Sequence, residues 1–397
     1  MNKPIFKFLN HASIKVEYEG ISIITDPWYI SNAFGNWFQS PEPFSNDIYE
    51  IIDSDERIGF IVSHGHDDHL DDFFIKSHLL DFQFFCPKFP TPGLQNRLKN
   101  LGIENLETLE VEREFGPFKI KQFVNSDFTE YDSIVIIKTD KFAIVHANDN
   151  WHKYPNILIN DINDYVKEFK KNEIYFLVQF GIADSFPNNY LGLNQISKSE
   201  IVNKRFSNYI ESIKINKNKL SLNKIYLYAN QANSNLDINE SKMSNFEKGL
   251  EFIKKSKEEN LIQLYPGDEV FKDKIKKSKN GIELFKFRLK SLENFININY
   301  LKFSKRENED FLFTNLVTSK DQIDKSKINY VMGIQDWNRI LNGELNLEAI
   351  IIGGIGVIHA PENKNISSHH HFISKLSYVI QNQIRKNGLS FFREFSK

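Results

Sequence analysis

One short run of metal-binding residue types could carry out chemistry. It reads His64-Gly65-His66-Asp67-Asp68-His69 and follows a continuous apolar stretch over residues 58–62. Histidines at alternate positions of an extended loop project the same way, so both rings can reach one cation. The next turn presents Asp68 and His69 to a second position nearby. Imidazole suits zinc, iron or manganese, and a carboxylate adds a hard ligand that can also act as a base.

A cation bound to this run would lower the pKa of a coordinated water and so supply hydroxide to attack an ester, amide or phosphodiester. The chain has only 11 histidines, so three of them within six positions favour a metal site over a chance polar loop. Asp149 is a further candidate ligand, because it follows the apolar stretch 142–147 and could bridge two metals. Asn148-Asp149-Asn150 would equally serve as an ordinary turn, and both interpretations stay open.

The elements that position these residues begin with strands and continue with alternating strands and helices. Residues 13–19 and 21–24 alternate apolar and polar around Gly20, which predicts a hairpin. The apolar run before His64 predicts a strand buried on both faces. Further strands are predicted at 83–86, 118–124, 133–138, 142–147, 174–179, 224–228 and within 346–358, and helices at 71–80, 160–171, 199–213, 244–259 and 372–385.

This pattern predicts an α/β (α+β) fold with two sheets between helical layers. Beyond residue 270 the sequence becomes Lys-rich and helical. We therefore predict two domains, residues 1–270 and a C-terminal α+β extension over residues 271–397.

Composition narrows the function classes. The 50 Lys and Arg residues nearly balance 52 Asp and Glu, so no nucleic-acid partner is predicted. The single cysteine, Cys86, excludes an intrachain disulfide and a cysteine-ligated iron–sulfur cluster within this chain. No signal peptide or membrane-spanning stretch is apparent. The expected location is therefore the cytoplasm and the expected partner a small-molecule substrate, with no prediction of oligomeric state.

The motif resembles the signature of the metallo-β-lactamase superfamily, His-x-His-x-Asp-His. Residues 8–13, followed by Thr25-Asp26-Pro27-Trp28, are similar to the branch that contains L-ascorbate-6-phosphate lactonase and N-acyl-phosphatidylethanolamine phospholipase. A more specific likeness is to the lactamase-like part of CMP-N-acetylneuraminate hydroxylase. It is carried by Asp26-Pro27-Trp28, Ala33-Phe34, Trp37, Ala147-Asn148-Asp149, residues 179–187, Trp337, Leu341, Gly343 and Gly353-Gly354.

The resemblance implies an αββα metallo-β-lactamase sandwich with its metal site in a cleft at one sheet edge. It implies one or two divalent ions, with zinc ahead of iron and manganese. The implied roles are His64 and His66 on the first metal, Asp68 and His69 on the second, Asp149 as the bridge, and His11 nearby as a polar group or substrate contact.

The sequence departs from the family pattern in two ways. The sialic-acid hydroxylase also carries a Rieske cluster held by two Cys and two His, which Cys86 alone cannot build. The superfamily usually supplies a third histidine to the first metal, whereas residues 118–138 contain none. Asn125 or Asp127 could take its place, and a single metal, or a harder one such as iron or manganese, becomes plausible.

Other histidines carry weaker expectations. Strand alternation sends His146 to the face opposite Asp149, as a core residue or one that supports the ligands from behind. His152 and His359 could reach the site, and residues 369–371 are interpreted as a polar loop or helix start.

Three functions remain open. The leading one is a metal-dependent hydrolase of a small polar substrate, sugar- or nucleotide-linked, in which Asp68 orients or deprotonates the water and His11 helps to bind the substrate. The alternatives are a non-haem iron oxidative enzyme and a non-catalytic ligand-binding protein with a degenerate site.

Overall fold

The computed structural model describes residues 4–278, 329–332, 352–353 and 356–359, with gaps at 35–36, 40–44, 55–56, 126–131, 150, 152–153, 182–185, 188, 192, 221, 223, 231, 235–244, 257–259, 273 and 354–355. The strands in these residues are β1 (Phe6–Asn10), β2 (Ser13–Tyr18), β3 (Ile21–Thr25), β4 (Trp37–Gln39), β5 (Arg57–Ile61), β6 (Gln83–Pro87), β7 (Leu106–Leu109), β8 (Arg113–Phe115), β9 (Phe118–Asn125), β10 (Asp132–Lys138), β11 (Ala143–His146), β12 (Ile174–Gln179), β13 (Tyr190–Leu191), β14 (Ile225–Tyr228), β15 (Ala232–Ser234), β16 (Leu261–Gln263), β17 (Glu269–Val270), β18 (Ile275–Lys276), β19 (Asn329–Met332) and β20 (Gly356–His359). The helices are α1 (Ser45–Ile52), α2 (Asp72–His78), α3 (Gly93–Leu101), α4 (Asn156–Val166), α5 (Gln195–Leu220) and α6 (Asn245–Ser256).

Two large sheets organise these strands. The first has the order β18-β17-β1-β2-β3-β5-β6-β7, and the second has the order β16-β14-β12-β11-β10-β9-β8. In the first sheet, β3, β5, β6 and β7 run parallel, as do β11, β12, β14 and β16 in the second. Two small sheets, β13-β20-β19 and β15-β4, complete the described pairings.

The two large sheets pack face to face because their strands are apolar on both sides. Along β10, Val135 and Ile137 join the core between the sheets, where they meet Phe8 of β1. The alternate residues Ile134 and Ile136 face the opposite way, into a core that α4 and α5 cover. Each such side chain contributes about 1.5–3 kcal/mol when it is fully buried.

A third apolar cluster covers the outer face of the first sheet. Phe60 of β5 packs there with Ile48 of α1, Phe74 of α2 and Leu98 of α3. The layer order is therefore helices, sheet, sheet, helices, and the predicted αββα fold class is confirmed.

Element positions agree with the sequence pattern to within a few residues for the long strands. Strand β12 has the predicted bounds, and β9, β10 and β14 each differ from the prediction by one residue. In the region 346–358, β20 begins at Gly356, and residues 346–351 and 354–355 lie outside the described residues. The hairpin β17–β18 crosses the proposed boundary at residue 270, and the two-domain division stays a prediction. The helix predicted at 372–385 and the histidines at 369–371 lie outside the described residues.

The environment of Cys86 predicts an unreactive thiol. The side chain is fully buried in β6, and burial raises the pKa of its thiol to about 12. Because the thiolate is the reactive form, we expect no reaction with Ellman's reagent at pH 8 in the native protein. One thiol per chain should react after denaturation in guanidinium. Rapid stoichiometric labelling of the native protein would contradict this burial.

No helix in the described parts of the chain has both the length and the apolar character needed to cross a membrane.

Candidate metal centre

The metal-binding residue types meet where strands of both large sheets end. The run that starts at His64 follows β5, and Asp149 lies just beyond β11. His11 follows β1, and Asp26 follows β3. Because β3, β5 and β11 present their carboxyl ends at the same edge of the sandwich, these segments converge although up to 138 positions separate them in sequence.

Asp149 lies between two groups of side chains. Its Oδ2 is 3.5 Å from His64 Nε2 and 3.8 Å from His66 Nδ1, and the two histidine nitrogens are 2.8 Å apart. Its Oδ1 is 3.3 Å from His69 Nε2. Each carboxylate oxygen therefore faces a different histidine group, as a carboxylate between two cations would.

Asp68 and His11 complete the cluster on the His69 side. Asp68 Oδ2 is 3.2 Å from His11 Nε2 and 3.9 Å from His69 Nε2. In two sets of three residues, the ligand atoms lie within 4.8 Å of one another. One set is His11, Asp68 and His69, and the other is His64, His69 and Asp149. All six residues singled out in the sequence are thus brought together.

Buried polar atoms in this cluster fit a divalent cation. Four of them have no hydrogen bond: His11 Nδ1, Asp68 Oδ1, and His69 Nε2 and Asp149 Oδ1, which lie 3.3 Å apart as an ion pair. A buried polar atom without a hydrogen bond costs about 1–3 kcal/mol, and a cation beside His69 Nε2 and Asp149 Oδ1 would offset that cost for these two atoms. Mixed nitrogen and oxygen donors are the set that zinc, iron and manganese accept.

Electrostatic interactions among the histidines and aspartates of the cluster also favour the binding of a cation. Burial acts to lower the pKa of His69, but Asp149, Asp68 and Asp26 outweigh it and raise that pKa well above its ordinary value. Burial acts to raise the pKa of Asp149, yet His69, with His64 and His66, holds it well below its ordinary value. A proton on His69 therefore balances the carboxylates in the metal-free protein, and a cation would replace that proton.

The His64 ring is neutral at neutral pH in the metal-free protein. Burial, with the neighbouring His69 and His66 rings, lowers its pKa to about 4. A neutral imidazole has a lone pair to offer a metal. Its other nitrogen, Nδ1, lies 3.0 Å from Ser63 Oγ and 3.4 Å from Asp132 Oδ1.

A buried carboxylate supports His69 from behind. Asp26 Oδ2 is 3.1 Å from His69 Nδ1, and Asp26 also accepts hydrogen bonds from Ser63 N at 2.7 Å and Ser63 Oγ at 2.9 Å. Such a carboxylate fixes the ring orientation of a metal-binding histidine and raises its basicity. In the sequence, Asp26 is part of the Asp26-Pro27 motif that follows a strand. That motif does not predict that His69 is the partner of Asp26.

His146 lies behind the metal-binding side chains, as the alternation of residues along its strand predicted. Its Nε2 donates to Ala12 O at 2.8 Å, and Tyr228 OH is 3.2 Å from its Nδ1. His146 is completely buried. It therefore braces the backbone just after His11.

The sequence suggests Asn125 or Asp127 in place of a third histidine on the first metal, and the structure describes the first of these residues. Asn125 ends β9 and pairs in register with Asp132 of β10, whose carboxylate approaches His64 as described above. Asp132 itself was missed in the sequence, since a carboxylate at the start of a strand has no distinctive pattern. Asp127 and His152 lie outside the described residues, and His359 ends β20 beside Leu191.

Arg97 of α3 anchors the loop that carries the ligands. Its guanidinium donates to Gly65 O at 2.7 Å, to Asp67 Oδ1 at 3.0 Å and to Asp72 Oδ1 at 2.9 Å. The ion pairs with Asp67 and Asp72 and the hydrogen bond to Gly65 O hold the backbone between His64 and His69 in place.

Left-handed backbone conformations also mark these strand ends. His11 has φ 46°, Asp26 φ 41°, Asn148 φ 53° and Ala229 φ 54°. Histidine, aspartate and asparagine tolerate this conformation better than other non-glycine residues do, whereas at Ala229 it costs of order 1–3 kcal/mol and persists only where its surroundings hold it. Four of them at one edge show that the fold imposes the positions of the side chains there.

Aromatic side chains border the cluster. The Trp28 ring is 5.0 Å from the His11 ring, and the Phe34 ring is 5.9 Å from the His66 ring. Trp37 packs on Phe34 at 5.8 Å and donates its indole N–H to Ile352 O at 2.7 Å. The side chain of His66 keeps 26 % exposure against 1 % for His64, so the cluster meets solvent at His66.

Comparisons with known proteins add partial sequence likenesses. No protein-family model matches the chain. Mycobacterium tuberculosis strains CDC 1551 and H37Rv each carry a protein, described as a Rieske 2Fe-2S iron–sulfur protein, that is 33 % identical over 96 residues, covering 24 % of this chain and 18 % of that protein. An N-acyl-phosphatidylethanolamine-hydrolyzing phospholipase D of Caenorhabditis elegans is 30 % identical over 96 residues, covering 24 % of this chain and 27 % of the enzyme. The chain therefore matches less than a third of the length of these relatives.

Among solved structures, the chain is similar to one described as a possible metal-dependent hydrolase from Veillonella parvula. The two share 15 % sequence identity with a TM-score of 0.44, and the match covers 66 % of this chain and 97 % of that one.

Proposed function

We propose that this protein is a metal-dependent hydrolase of the metallo-β-lactamase superfamily, acting on a small polar substrate. The observation that carries the proposal is the convergence of six histidine and aspartate side chains, four of which hold a buried nitrogen or oxygen atom without a hydrogen bond. The His-x-His-x-Asp-His motif and the partial likeness to a phospholipase support it.

The assignment of ligands follows the two faces of Asp149. His64 and His66 would hold one cation and Asp68 and His69 a second, with Asp149 bridging between them. Zinc suits this set best, and iron and manganese also fit nitrogen and oxygen donors. A bound divalent ion supplies Lewis acidity and a water of lowered pKa.

Asp68 would orient the water that attacks the substrate or take its proton. Burial acts to raise its pKa, but His69 and His11 outweigh burial and lower it, so the carboxylate stays ionised at neutral pH. Its Oδ1 is buried and unpartnered. That oxygen can accept a hydrogen bond from the water and orient it or take its proton.

The substrate would approach at His66, the more exposed end of the cluster. A sugar- or nucleotide-linked substrate is the class suggested by the resemblance to CMP-N-acetylneuraminate hydroxylase. The Rieske chemistry of that enzyme does not transfer, because this chain has one cysteine.

The variants His66→Ala and Asp68→Ala test the proposal. We expect each to lose bound metal, measured by elemental analysis, and to lose hydrolysis across a panel of p-nitrophenyl esters, phosphodiesters and lactones. His78→Ala is the control, since His78 lies on the exposed face of α2. Unchanged metal content in the first two variants would overturn the assignment, and metal binding without turnover of any panel member would favour a ligand-binding protein.

The nitrogen- and oxygen-only donor set also favours a second candidate, a non-haem iron oxidative enzyme. Three histidines and two carboxylates are ligands that iron accepts readily. Protein purified without added zinc discriminates between the two. Iron with oxygen consumption would support the oxidative function, whereas stoichiometric zinc would oppose it.

A further inference from the structure

We infer that His11 is itself a metal ligand, which with Asp68 and His69 forms a three-donor cation position next to Asp149, and that it is not a substrate contact. The inference deepens the proposed metal-dependent function and rests on it. It assigns to the first turn of the chain a role that the His-x-His-x-Asp-His motif does not supply.

Distances support a common cation position. Zinc–ligand bonds of about 2.0–2.2 Å place neighbouring ligand atoms roughly 3–4 Å apart. The separations here are 3.2 Å for His11 Nε2 to Asp68 Oδ2 and 3.9 Å for Asp68 Oδ2 to His69 Nε2. His69 Nε2 to Asp149 Oδ1 adds 3.3 Å. The ligand atoms of His11, Asp68 and His69 all lie within 4.8 Å of one another, so these three side chains can contact one ion, with Asp149 Oδ1 next to it.

Burial argues against a substrate contact for His11. The residue is 2 % exposed, with the Trp28 ring edge-on at 5.0 Å and the His69 ring at 5.8 Å. Trp28 is itself buried, so the His11 imidazole presents almost no surface to a substrate.

The backbone holds His11 in place before any cation arrives. The residue adopts a left-handed conformation, and its carbonyl accepts a hydrogen bond from Ala229 N at 2.8 Å. The next carbonyl, of Ala12, accepts from Thr25 Oγ1 at 2.9 Å and from His146 Nε2 at 2.8 Å. Strands of both sheets thus fix this one turn, and the fixed turn directs the ring to Asp68.

Two substitutions separate ligation from a structural role. Asparagine tolerates the left-handed conformation, so His11→Asn should keep the turn while removing the imidazole. His11→Gly also accepts this conformation and leaves a space that added imidazole can fill. His78→Asn is the matched control on the surface of α2.

Equilibrium dialysis against Zn²⁺ with a competing chelator measures the effect. We expect His11→Asn to weaken one zinc position by more than about 100-fold, beyond the 10–100-fold typical of a residue that acts through a ligand. We expect imidazole to restore zinc binding to His11→Gly, and to shift the visible absorption of the Co²⁺-loaded variant towards that of the wild type. The metal-free variants should still unfold in one cooperative transition, which shows that they are folded when zinc binding is measured.

Three results would overturn the inference. Wild-type zinc affinity in His11→Asn would refute it while leaving the metal-dependent function intact. So would a loss of affinity in His11→Gly that imidazole does not restore in either the zinc or the Co²⁺ measurement. A wild-type protein that binds no Zn²⁺ or Co²⁺ at all would overturn the proposed function together with this inference.

Discussion

Replacing Asp149 by Asn is expected to empty both cation positions. One carboxylate oxygen faces His64 and His66, and the other faces His69. A pair of unit charges 4 Å apart interacts by about 4 kcal/mol at an effective dielectric constant of 20, which corresponds to roughly a thousandfold in affinity. Isothermal titration with Zn²⁺ should therefore show at least that loss, with hydrolysis falling in parallel.

Asp67→Asn provides the matched control for Asp149→Asn. Asp67 lies in the same ligand loop, but its carboxylate pairs with Arg97 and not with the histidines. We expect the control to bind zinc nearly as the wild type does, because asparagine keeps an Oδ1 that can accept the hydrogen bond from Arg97. Equal affinities for the wild type and Asp149→Asn would show that the carboxylate does not bridge the two groups.

The variant Asp26→Asn should weaken metal binding and the metal-free fold together. Asp26 orients His69 through Nδ1, and the loss of such a supporting carboxylate typically costs about 10–100-fold in metal affinity. Removing one partner of a buried charged pair costs roughly 3–5 kcal/mol of folding stability. Chelator competition measures the first effect and denaturant unfolding of the metal-free protein the second.

The folding stability that the Asp26 carboxylate contributes should fall at low pH. Burial acts to raise the pKa of Asp26, but His69, His146 and His64 outweigh it and hold that pKa below its ordinary value of 3.8. The stability from its charge is thus present above pH 3.8 and is lost as the pH falls through the lower folded-state value. The stability difference between wild type and Asp26→Asn should therefore persist at pH 5–7, and its disappearance there would contradict the pairing with His69.

The ligand cluster could be predicted because it follows from local sequence and one rule of sheet geometry. His64, His66, Asp68 and His69 lie in one loop, and Asp149 follows another strand whose carboxyl end meets the same edge. Apolar runs such as residues 174–179 are long enough to define their strands without tertiary information. Short elements such as β4 and α1 lack such runs and were not predicted.

The supporting contacts could not be predicted because they join positions far apart in the chain. Asp26 meets His69 across 43 positions, and Tyr228 meets His146 across 82. Each pairing depends on how the two sheets pack, and no periodicity records it. The left-handed turn at His11 has the same origin, since the hydrogen bond that holds it comes from Ala229 of the second sheet.

Metal analysis combined with anomalous diffraction at the cluster tests the central claim most directly. We expect at least one ion per chain, with its anomalous peak between Asp149 and His69 and within bonding distance of both. A folded protein purified in metal-containing medium that shows no anomalous peak, with these side chains directed away from one another, would contradict the account.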